Sequence, residues 1–252
     1  MQAVFIGSGV SITTAKRRSP SILLELENDC VLLDAGPGTT CALAEMGYST
    51  SKIHHIFLTH LHVDHVNDYA ALVNERALTT REPLEVCGPR GLEKHSALLF
   101  TELYPDIASS LRCYDFLRVR DAEQGSVTSG DDWVVSCAPT EHAEGIAYRI
   151  ESGGRALLYS GDAQPSEPLA ELGRNVDVAI LECSFPDLAS LKGKHLVPTT
   201  AAELATKMNA KKLVLTHMYP ECEGRETEML EAAKAIYHGE VAMVFDGMRI
   251  VV

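Results

Sequence analysis

The sequence has no long hydrophobic run and no paired-cysteine motif. No segment reaches about 18 uninterrupted apolar residues, which is the length that a membrane-spanning helix needs. The seven cysteines are scattered without a CxxC motif, and their odd number does not suit a framework of disulfide bonds. We therefore expect free thiols in a reducing compartment. The first residues lack a basic stretch followed by an apolar run, so they do not resemble a signal peptide.

Basic residues are also scarce. The chain carries 22 Lys and Arg against 35 Asp and Glu, which gives a formal net charge of −13. An acidic surface repels phosphate backbones at long range and disfavours an extended nucleic-acid footprint, although a local basic patch remains compatible with it. Hydrophobic residues make up 46% of the 252 residues, enough for a buried core. We predict one soluble, cytoplasmic domain over residues 1–252.

Short apolar runs alternate with longer helical patterns, which predicts a layered α/β architecture. Helices are expected at 41–46, at 66–78, at 91–103 ending near Pro105, at 199–208 with Thr199 as the N-cap, and at 227–237. Two predicted strands end in the same tripeptide, Leu-Thr-His, at residues 58–60 and 215–217. The repeat is either coincidence or the mark of two similar half-folds, each delivering a histidine at a strand's end.

The densest group of chemically active side chains is His60-Leu61-His62-Val63-Asp64-His65, directly after a predicted strand. Alternate residues of an extended segment point the same way, so His60 and His62 can converge on one ion. Asp64 and His65 follow where the chain turns, and can address a second ion. Imidazole and carboxylate groups suit zinc, and also iron or manganese. A solvated polar loop would not require this spacing.

The hexapeptide resembles the HxHxDH signature of the metallo-β-lactamase superfamily, and the other motifs of that superfamily follow in the expected order. They are Asp34 in LLDAG, His142 in TEH, Asp162 in YSGD and His217 in LTH. The resemblance covers nearly the whole chain. It implies an α/β fold, the four-layer αβ/βα sandwich, with metals at the edge of the sheets.

The same resemblance implies a ligand set for two divalent metal ions, zinc with manganese or iron as alternatives. One ion is assigned to His60, His62 and His142, the other to Asp64, His65 and His217, with Asp162 between them. Asp34 is expected to buttress the site. His54 and His55 are further candidates to support the ligands, and a plain structural role is equally open for both.

Other motifs indicate a branch of the superfamily. Asp162 stands where true β-lactamases carry a cysteine, which disfavours antibiotic hydrolysis. Segments 181–185 and 194–199 resemble motifs of ribonuclease Z, and still more those of class II cyclic-nucleotide phosphodiesterases. The resemblance implies that His195 contacts the phosphate and protonates the leaving oxygen, and that Glu182 orients it. A solvent-facing histidine and a surface carboxylate are the alternatives. The predicted catalytic residues are Asp64, His195 and Glu182.

Residues 14–20 partly match the Pro-x-Lys-x-Arg-Asn loop of short ribonuclease Z, with Thr14 and Ser19 departing from it. Lys16 and Arg18 are therefore predicted, with His195, to bind substrate. The alternative is an ordinary solvated run of charge. A homodimer is an open expectation, because related enzymes often dimerise.

The interval between His142 and Asp162 decides the expected substrate. Ribonuclease Z usually inserts a tRNA-binding arm there, whereas this interval spans only 162 − 142 = 20 residues and is filled by one hairpin. We therefore expect a phosphodiesterase for a small anionic phosphodiester, such as a cyclic nucleotide or a short nucleotide. The alternatives are a ribonuclease Z-type endonuclease without the arm and a thioester or lactone hydrolase. A metal-stabilised scaffold or sensor is the non-enzymatic alternative.

Overall fold

Two seven-stranded sheets form the framework of the computed structural model, which describes residues 1–122 and 124–252. The strands of the first half are β1 Gln2–Gly7, β2 Ser21–Glu25, β3 Cys30–Leu33, β4 Ile53–Phe57, β5 Leu84–Gly88 and β6 Leu117–Asp121. Those of the second half are β7 Gly125–Ser129, β8 Trp133–Pro139, β9 Ile146–Ser152, β10 Arg155–Tyr159, β11 Val178–Glu182, β12 Lys212–Thr216, β13 Glu240–Met243 and β14 Arg249–Val251.

Eight α-helices flank the sheets in the described ranges. They are α1 Thr39–Glu45, α2 Val63–Val66, α3 Tyr69–Leu78, α4 Leu92–Leu98, α5 Pro105–Ser109, α6 Glu167–Leu172, α7 Pro198–Met208 and α8 Glu226–Lys234. Short 3₁₀ turns cover Thr50–Lys52, Cys113–Asp115 and Pro220–Cys222, and a π-helical turn covers Leu99–Leu103. No described helix is both long and apolar enough to cross a bilayer.

The two sheets share one pattern of strand directions. The first runs β14-β1-β2-β3-β4-β5-β6, antiparallel as far as β3 and parallel from β3 to β6. The second runs β13-β12-β11-β10-β9-β8-β7, antiparallel from β7 to β10 and parallel from β10 to β13. The repeated Leu-Thr-His thus lies at the end of β4 in one sheet and at the end of β12 in the other, as expected of two similar halves.

Three buried clusters hold the layers together. The cluster between the sheets draws on both of them and includes Phe5, Phe57, Trp133 and Tyr148. A second cluster lies between the first sheet and the helices of the first half, and a third between the second sheet and α6, α7 and α8. The order of layers is therefore helix, sheet, sheet, helix. This confirms the predicted four-layer αβ/βα sandwich.

The helix boundaries differ from the sequence predictions mainly at three places. The helix expected at 66–78 is split into α2 and α3, because the Asp68 backbone N–H donates to the Ala35 carbonyl at 2.9 Å instead of continuing the helical hydrogen bonds. The π-helical turn ends the helix expected at 91–103, and Pro105 begins α5. Thr199 is not the N-cap of α7. Val197 holds that position, and the Thr200 hydroxyl accepts from its N–H.

Candidate metal centre

The predicted ligands all follow the ends of strands on one edge of the sandwich. His60 and His62 follow β4, and Asp64 and His65 lie in α2 immediately after them. His142 lies between β8 and β9. Asp162 and His217 come three residues after β10 and directly after β12, respectively. Strand ends of both sheets therefore deliver residues far apart in sequence to one place.

The structure brings these side chains together in two groups joined by Asp162. Ligand atoms of His60, His62, His142 and Asp162 lie within 4.8 Å of one another, as do those of Asp64, His65 and His217. Asp162 Oδ2 is 3.7 Å from His60 Nε2 and 3.6 Å from His142 Nε2. Asp162 Oδ1 lies 3.3 Å from His65 Nε2 and 3.0 Å from His217 Nε2. The carboxylate therefore stands between the groups.

Two buried imidazole nitrogens of the first group lack a partner of their own. His60 Nε2 and His142 Nε2 are inaccessible to solvent, and neither makes a hydrogen bond to any described residue. Burial lowers the pKa of His60 to about 2, which leaves its imidazole neutral and able to donate a lone pair. Buried polar atoms without partners are costly. Histidine and aspartate donors in this arrangement fit divalent transition metals.

Asp34 holds the second group from behind. Its carboxylate accepts hydrogen bonds from the Thr59 N–H at 2.7 Å and the Tyr159 hydroxyl at 2.8 Å, and lies 2.8 Å from His65 Nδ1. A bond at Nδ1 leaves Nε2 of His65 facing the cluster, which is how carboxylates commonly orient metal-binding histidines. Asp34 thus lies where the predicted buttress was expected. Sequence reasoning missed Thr59 and Tyr159, although both sit inside the motifs that were identified.

Gly161 is required by the close approach of the two halves. Its φ of 55° is in the left-handed region, and a Cβ there would lie 2.6 Å from the Thr59 Cβ. No other residue could occupy this position without displacing the strand end that carries His60. The glycine therefore lets the chain bring Asp162 against the histidines.

His195, which is partly buried, and Glu182, which is fully buried, form a hydrogen-bonded pair beside Asp162. Glu182 is 1% exposed, its Oε1 lies 2.9 Å from His195 Nδ1, and it also accepts from the Ala163 N–H. His195 Nδ1 is 3.8 Å from Asp162 Oδ2. Burial alone would lower the pKa of His195, but the Glu182 carboxylate raises it above its usual value. A surface carboxylate and a solvent-facing histidine, the two alternatives, are both wrong.

Ser184 links this pair to the second ligand group and was missed from the sequence. Its hydroxyl donates to Glu182 and lies 2.9 Å from His217 Nδ1 and 3.3 Å from His195 Nδ1. The serine lies within the motif at residues 181–185, which was the only available signal. On the other side, the Lys194 carbonyl oxygen lies 2.8 Å from His142 Nδ1.

The predicted basic loop is largely occupied by internal contacts. Arg17 is buried, and its guanidinium donates to Ser8 and to the Val244 carbonyl. Arg18 pairs with Glu45 at 2.7 Å and with Asp246 at 3.7 Å. Lys16 is exposed. Substrate binding by Lys16 and Arg18 therefore stays a proposal.

His54 and His55 do not support the ligands. They lie at the start of β4, whereas His60 follows its end. Both histidines face the Asp29 carboxylate at 3.5 Å, and His55 packs edge-on against Trp133. The structural role left open for them is what the structure shows.

Comparison with known proteins places this arrangement in a family. The family model of the beta-lactamase superfamily domain matches residues 30–218, about three quarters of the chain. The chain therefore belongs to the beta-lactamase superfamily. Because the histidine–aspartate cluster accompanies that fold, it is a metal-dependent hydrolase of this superfamily.

Its curated relatives include ribonuclease Z of Bacillus velezensis, 27% identical over 100% of this chain and 99% of the relative. Ribonuclease Z of Methanothermobacter thermautotrophicus is 26% identical over 94% of this chain and 92% of the relative. These enzymes share sequence with the chain along almost its full length.

Solved structures confirm the fold. The metallo-beta-lactamase fold protein YhfI from Bacillus subtilis superposes with a TM-score of 0.83 at 21% identity, covering 99% of this chain and 98% of that one. Human tRNase Z, short form, gives 0.80 at 23% identity over 100% and 99% of the two chains. A diphosphatase from the PhnP family gives 0.74 at 17% identity over 100% and 97%.

Proposed function

We propose that this hydrolase is a phosphodiesterase that binds two divalent metal ions, zinc with manganese or iron as alternatives. The observation that carries the proposal is the hydrogen-bonded Glu182–His195 pair, in which His195 Nδ1 lies 3.8 Å from the Asp162 carboxylate between the two ligand groups. Hydrolysis of a thioester, whose thiolate is a good leaving group, needs no such proton donor. A phosphodiester, whose alkoxide leaving group is poor, benefits from a proton donor at this place.

The ligand assignment follows the two groups that the structure brings together. His60, His62 and His142 would hold one ion, Asp64, His65 and His217 the other, and Asp162 both. When bound, the ions would supply a hydroxide at neutral pH and balance the charge that develops on the phosphoryl group. The buried, unpartnered nitrogens of His60 and His142 support this assignment.

The chain's own residues supply the proton and its control. His195 would donate a proton to the leaving oxygen as the bond to phosphorus breaks. Glu182 would hold the imidazole by its Nδ1 side, so that Nε2 is presented to the substrate. Asp64 is proposed to accept a hydrogen bond from the attacking water. Lys16 and Arg18 are proposed to bind the remaining negative charge of the substrate.

The relatives support a ribonuclease Z-type endonuclease more than the cyclic-nucleotide phosphodiesterase expected first. Ribonuclease Z is the name of the similar proteins from both bacteria and archaea. We therefore propose RNA phosphodiesters as the first substrate class to test. The domain is proposed to be single, cytoplasmic and able to dimerise.

A small nucleotide is the second candidate, because the tRNA-binding arm has no counterpart where it was expected. β9 and β10 are joined by Gly153-Gly154 alone, a two-residue turn with φ of 58° and 73°. The alignment with the Bacillus velezensis enzyme spans 312 positions, which leaves 312 − 252 = 60 of them opposite gaps in this chain. With the net charge of −13, this favours a compact substrate.

The test is turnover of bis(p-nitrophenyl) phosphate, with metal content determined on the same sample. We expect activity with two metals per chain, its loss on chelation, and a fall of about 10²-fold or more in His195→Ala with metal retained. Glu182→Gln should lose less. His238→Ala, an exposed histidine outside the cluster, is the matched control. Full activity in a folded, metal-loaded His195→Ala variant would contradict the proposal.

A substrate panel then separates the candidates. Precursor tRNA with a 3′ trailer tests the endonuclease, cyclic nucleotides test the small-substrate candidate, and thioesters and lactones test acyl hydrolysis. Turnover of acyl substrates alone, independent of Glu182 and His195, would replace the proposal with the acyl alternative. Turnover of any of these substrates would exclude a scaffold or sensor without activity.

A further inference from the structure

An aromatic pair stands at the rim of the candidate metal centre and has no role in holding the ligands. The rings of Phe185 and Tyr219 are stacked, with centroids 4.7 Å apart and planes 16° apart. Phe185 is 1% exposed, whereas Tyr219 is only partly buried. Phe185 therefore covers one face of the tyrosine ring, while part of the tyrosine residue stays accessible to solvent.

The backbone ties this pair firmly to the site. Tyr219 comes two residues after His217, and its N–H donates to the Ser184 carbonyl at 3.1 Å. Ser184 in turn contacts His217 and Glu182 through its hydroxyl. The tyrosine ring therefore has a fixed position relative to the ligands, and stacking on it would lose little entropy.

The pair also lies beside the proposed proton donor. The His195 ring is 6.0 Å from Phe185 and 6.1 Å from Tyr219, measured between centroids, and both contacts are edge-on. The group that receives a proton from His195 is the leaving group. The tyrosine therefore borders the leaving-group side of the site. Among residues 1–122 and 124–252 its hydroxyl has no hydrogen-bond partner, so its position depends on the ring and the backbone.

We infer that Tyr219, backed by Phe185, is the stacking platform for the base of the nucleotide whose oxygen leaves. A partly exposed aromatic ring that is backed on one face by a second ring is a surface on which nucleobases stack. Such stacking tolerates different bases, because every base has a π face. The inference rests on the proposed phosphodiesterase activity and adds a determinant of substrate class to it.

The experiment compares two dinucleotides hydrolysed by the metal-loaded protein. One carries adenine on both nucleotides, and the other has an abasic ribose on the nucleotide whose oxygen leaves. We expect Tyr219→Leu to raise KM for the first by about five-fold or more, because stacking on one aromatic residue contributes at least that much. KM for the abasic substrate and kcat for both should stay within about two-fold. Tyr219→Phe should restore the parent values.

The outcomes distinguish this inference from the proposed function. A protein inactive on both dinucleotides and on bis(p-nitrophenyl) phosphate would overturn both. A protein active on any of the three, in which Tyr219→Leu changes the two dinucleotides alike or not at all, would overturn the platform only. If Tyr219→Leu has a lower melting temperature or a lower metal content than the parent protein, Tyr219→Trp is measured instead. A larger ring should lower KM for the base-bearing substrate alone. An unchanged ratio of the KM values for the two dinucleotides would contradict the inference.

Discussion

Asp34 shows how one carboxylate outside the ligand set controls the site. It is fully buried and bonded to Thr59, His65 and Tyr159, which come from three different segments of the chain. Its φ of 59° places it in the left-handed region, where aspartate is tolerated better than bulky residues. The residue after β3 is therefore strained locally and held by the contacts that orient the histidine.

Asp34→Asn should weaken metal binding by about 10- to 100-fold, because the amide cannot accept from all three partners and misorients His65. Competition with a chromophoric chelator measures the affinity. Asp68→Asn is the control, since that carboxylate accepts from Thr40 at the start of α1 and touches no ligand. Equal metal affinity in Asp34→Asn and the parent protein would show that the buttress is dispensable.

At the scale of elements, α7 begins with a device that replaces the predicted N-cap. Val197 cannot accept a hydrogen bond through its side chain, and Pro198 at the first helical position has no N–H to satisfy. The Thr200 hydroxyl instead accepts from the Val197 N–H at 3.0 Å. This helix packs on the second sheet shortly after His195, so its start fixes the end of the loop that carries His195.

Thr200→Val should lower the free energy of unfolding by about 1 kcal/mol, as the loss of a capping bond does. Urea denaturation measures it. Thr206→Val, in the same helix, removes only a hydroxyl that donates to the Ala202 carbonyl within the helix, and should cost less than about 0.5 kcal/mol. Equal losses in the two variants would assign the effect to helix propensity rather than to the cap.

Asp177 fastens the start of β11 to its neighbours. It accepts hydrogen bonds from the Ala156 N–H at 2.9 Å, from Lys211 at 2.8 Å and from Arg155 at 3.0 Å. Burial alone would raise the pKa of Asp177, but the hydrogen bonds from Lys211, Ala156 and Arg155 lower it to about 2. Because the pKa is lower in the folded state, the ionised carboxylate stabilises the fold fully at pH values above 3.8, the usual pKa of aspartate. The stabilisation is lost as the pH falls through about 2.

Asp177→Asn should therefore be less stable than the parent by about 1–2 kcal/mol at pH 6, and the difference should shrink as the pH falls from 4 towards 2. Urea denaturation of chelator-treated protein at several pH values measures it, with metal loss removed from the comparison. A difference that stays constant over this range would show that the charge of Asp177 has no part in it.

How far the sequence predicts the elements depends on where their contacts lie. Most strands and the ligand motifs were predictable, because a short apolar run and a run of histidines are local patterns. The polar strands β6 and β7 were not predicted. The break between α2 and α3 was not predictable either, since it depends on a hydrogen bond from the Asp68 backbone N–H to the Ala35 carbonyl, distant in sequence. Ser184, Thr59 and Tyr159 were missed for the same reason: small hydroxyl groups acquire their role only when the two sheets meet.

At the scale of the whole molecule, the candidate metal centre joins the two halves. His60, Asp64 and His65 follow a strand of the first sheet, and Asp162 and His217 follow strands of the second. Binding of ions to this set therefore adds to the cohesion of the sheets beyond the apolar cluster between them. Bound cations would also offset the negative charge of the buried carboxylates in the cluster.

Removal of metal should lower the melting temperature by several degrees, and zinc should restore it. An ion at 100 times its dissociation constant stabilises the folded state by about 2.7 kcal/mol. Calorimetry with and without chelator measures the shift. His54→Gln should retain this shift in melting temperature, whereas Asp162→Ala should lose most of the shift. A melting temperature insensitive to chelator, in protein shown to contain metal beforehand, would contradict this.

The split origin of the ligands has a consequence for synthesis of the chain. His65 and His217, whose Nε2 atoms are 3.2 Å apart in the folded protein, are separated by 152 residues. A ribosome adding about 5–20 residues per second needs about 8–30 seconds to pass from one to the other. During that interval the early histidines lack the side chains that the second sheet supplies. They form an incomplete chelating group, to which a different ion can bind. β14, which covers the open edge of β1, emerges later still, so the nascent first sheet has an unpaired edge until translation has passed residue 251.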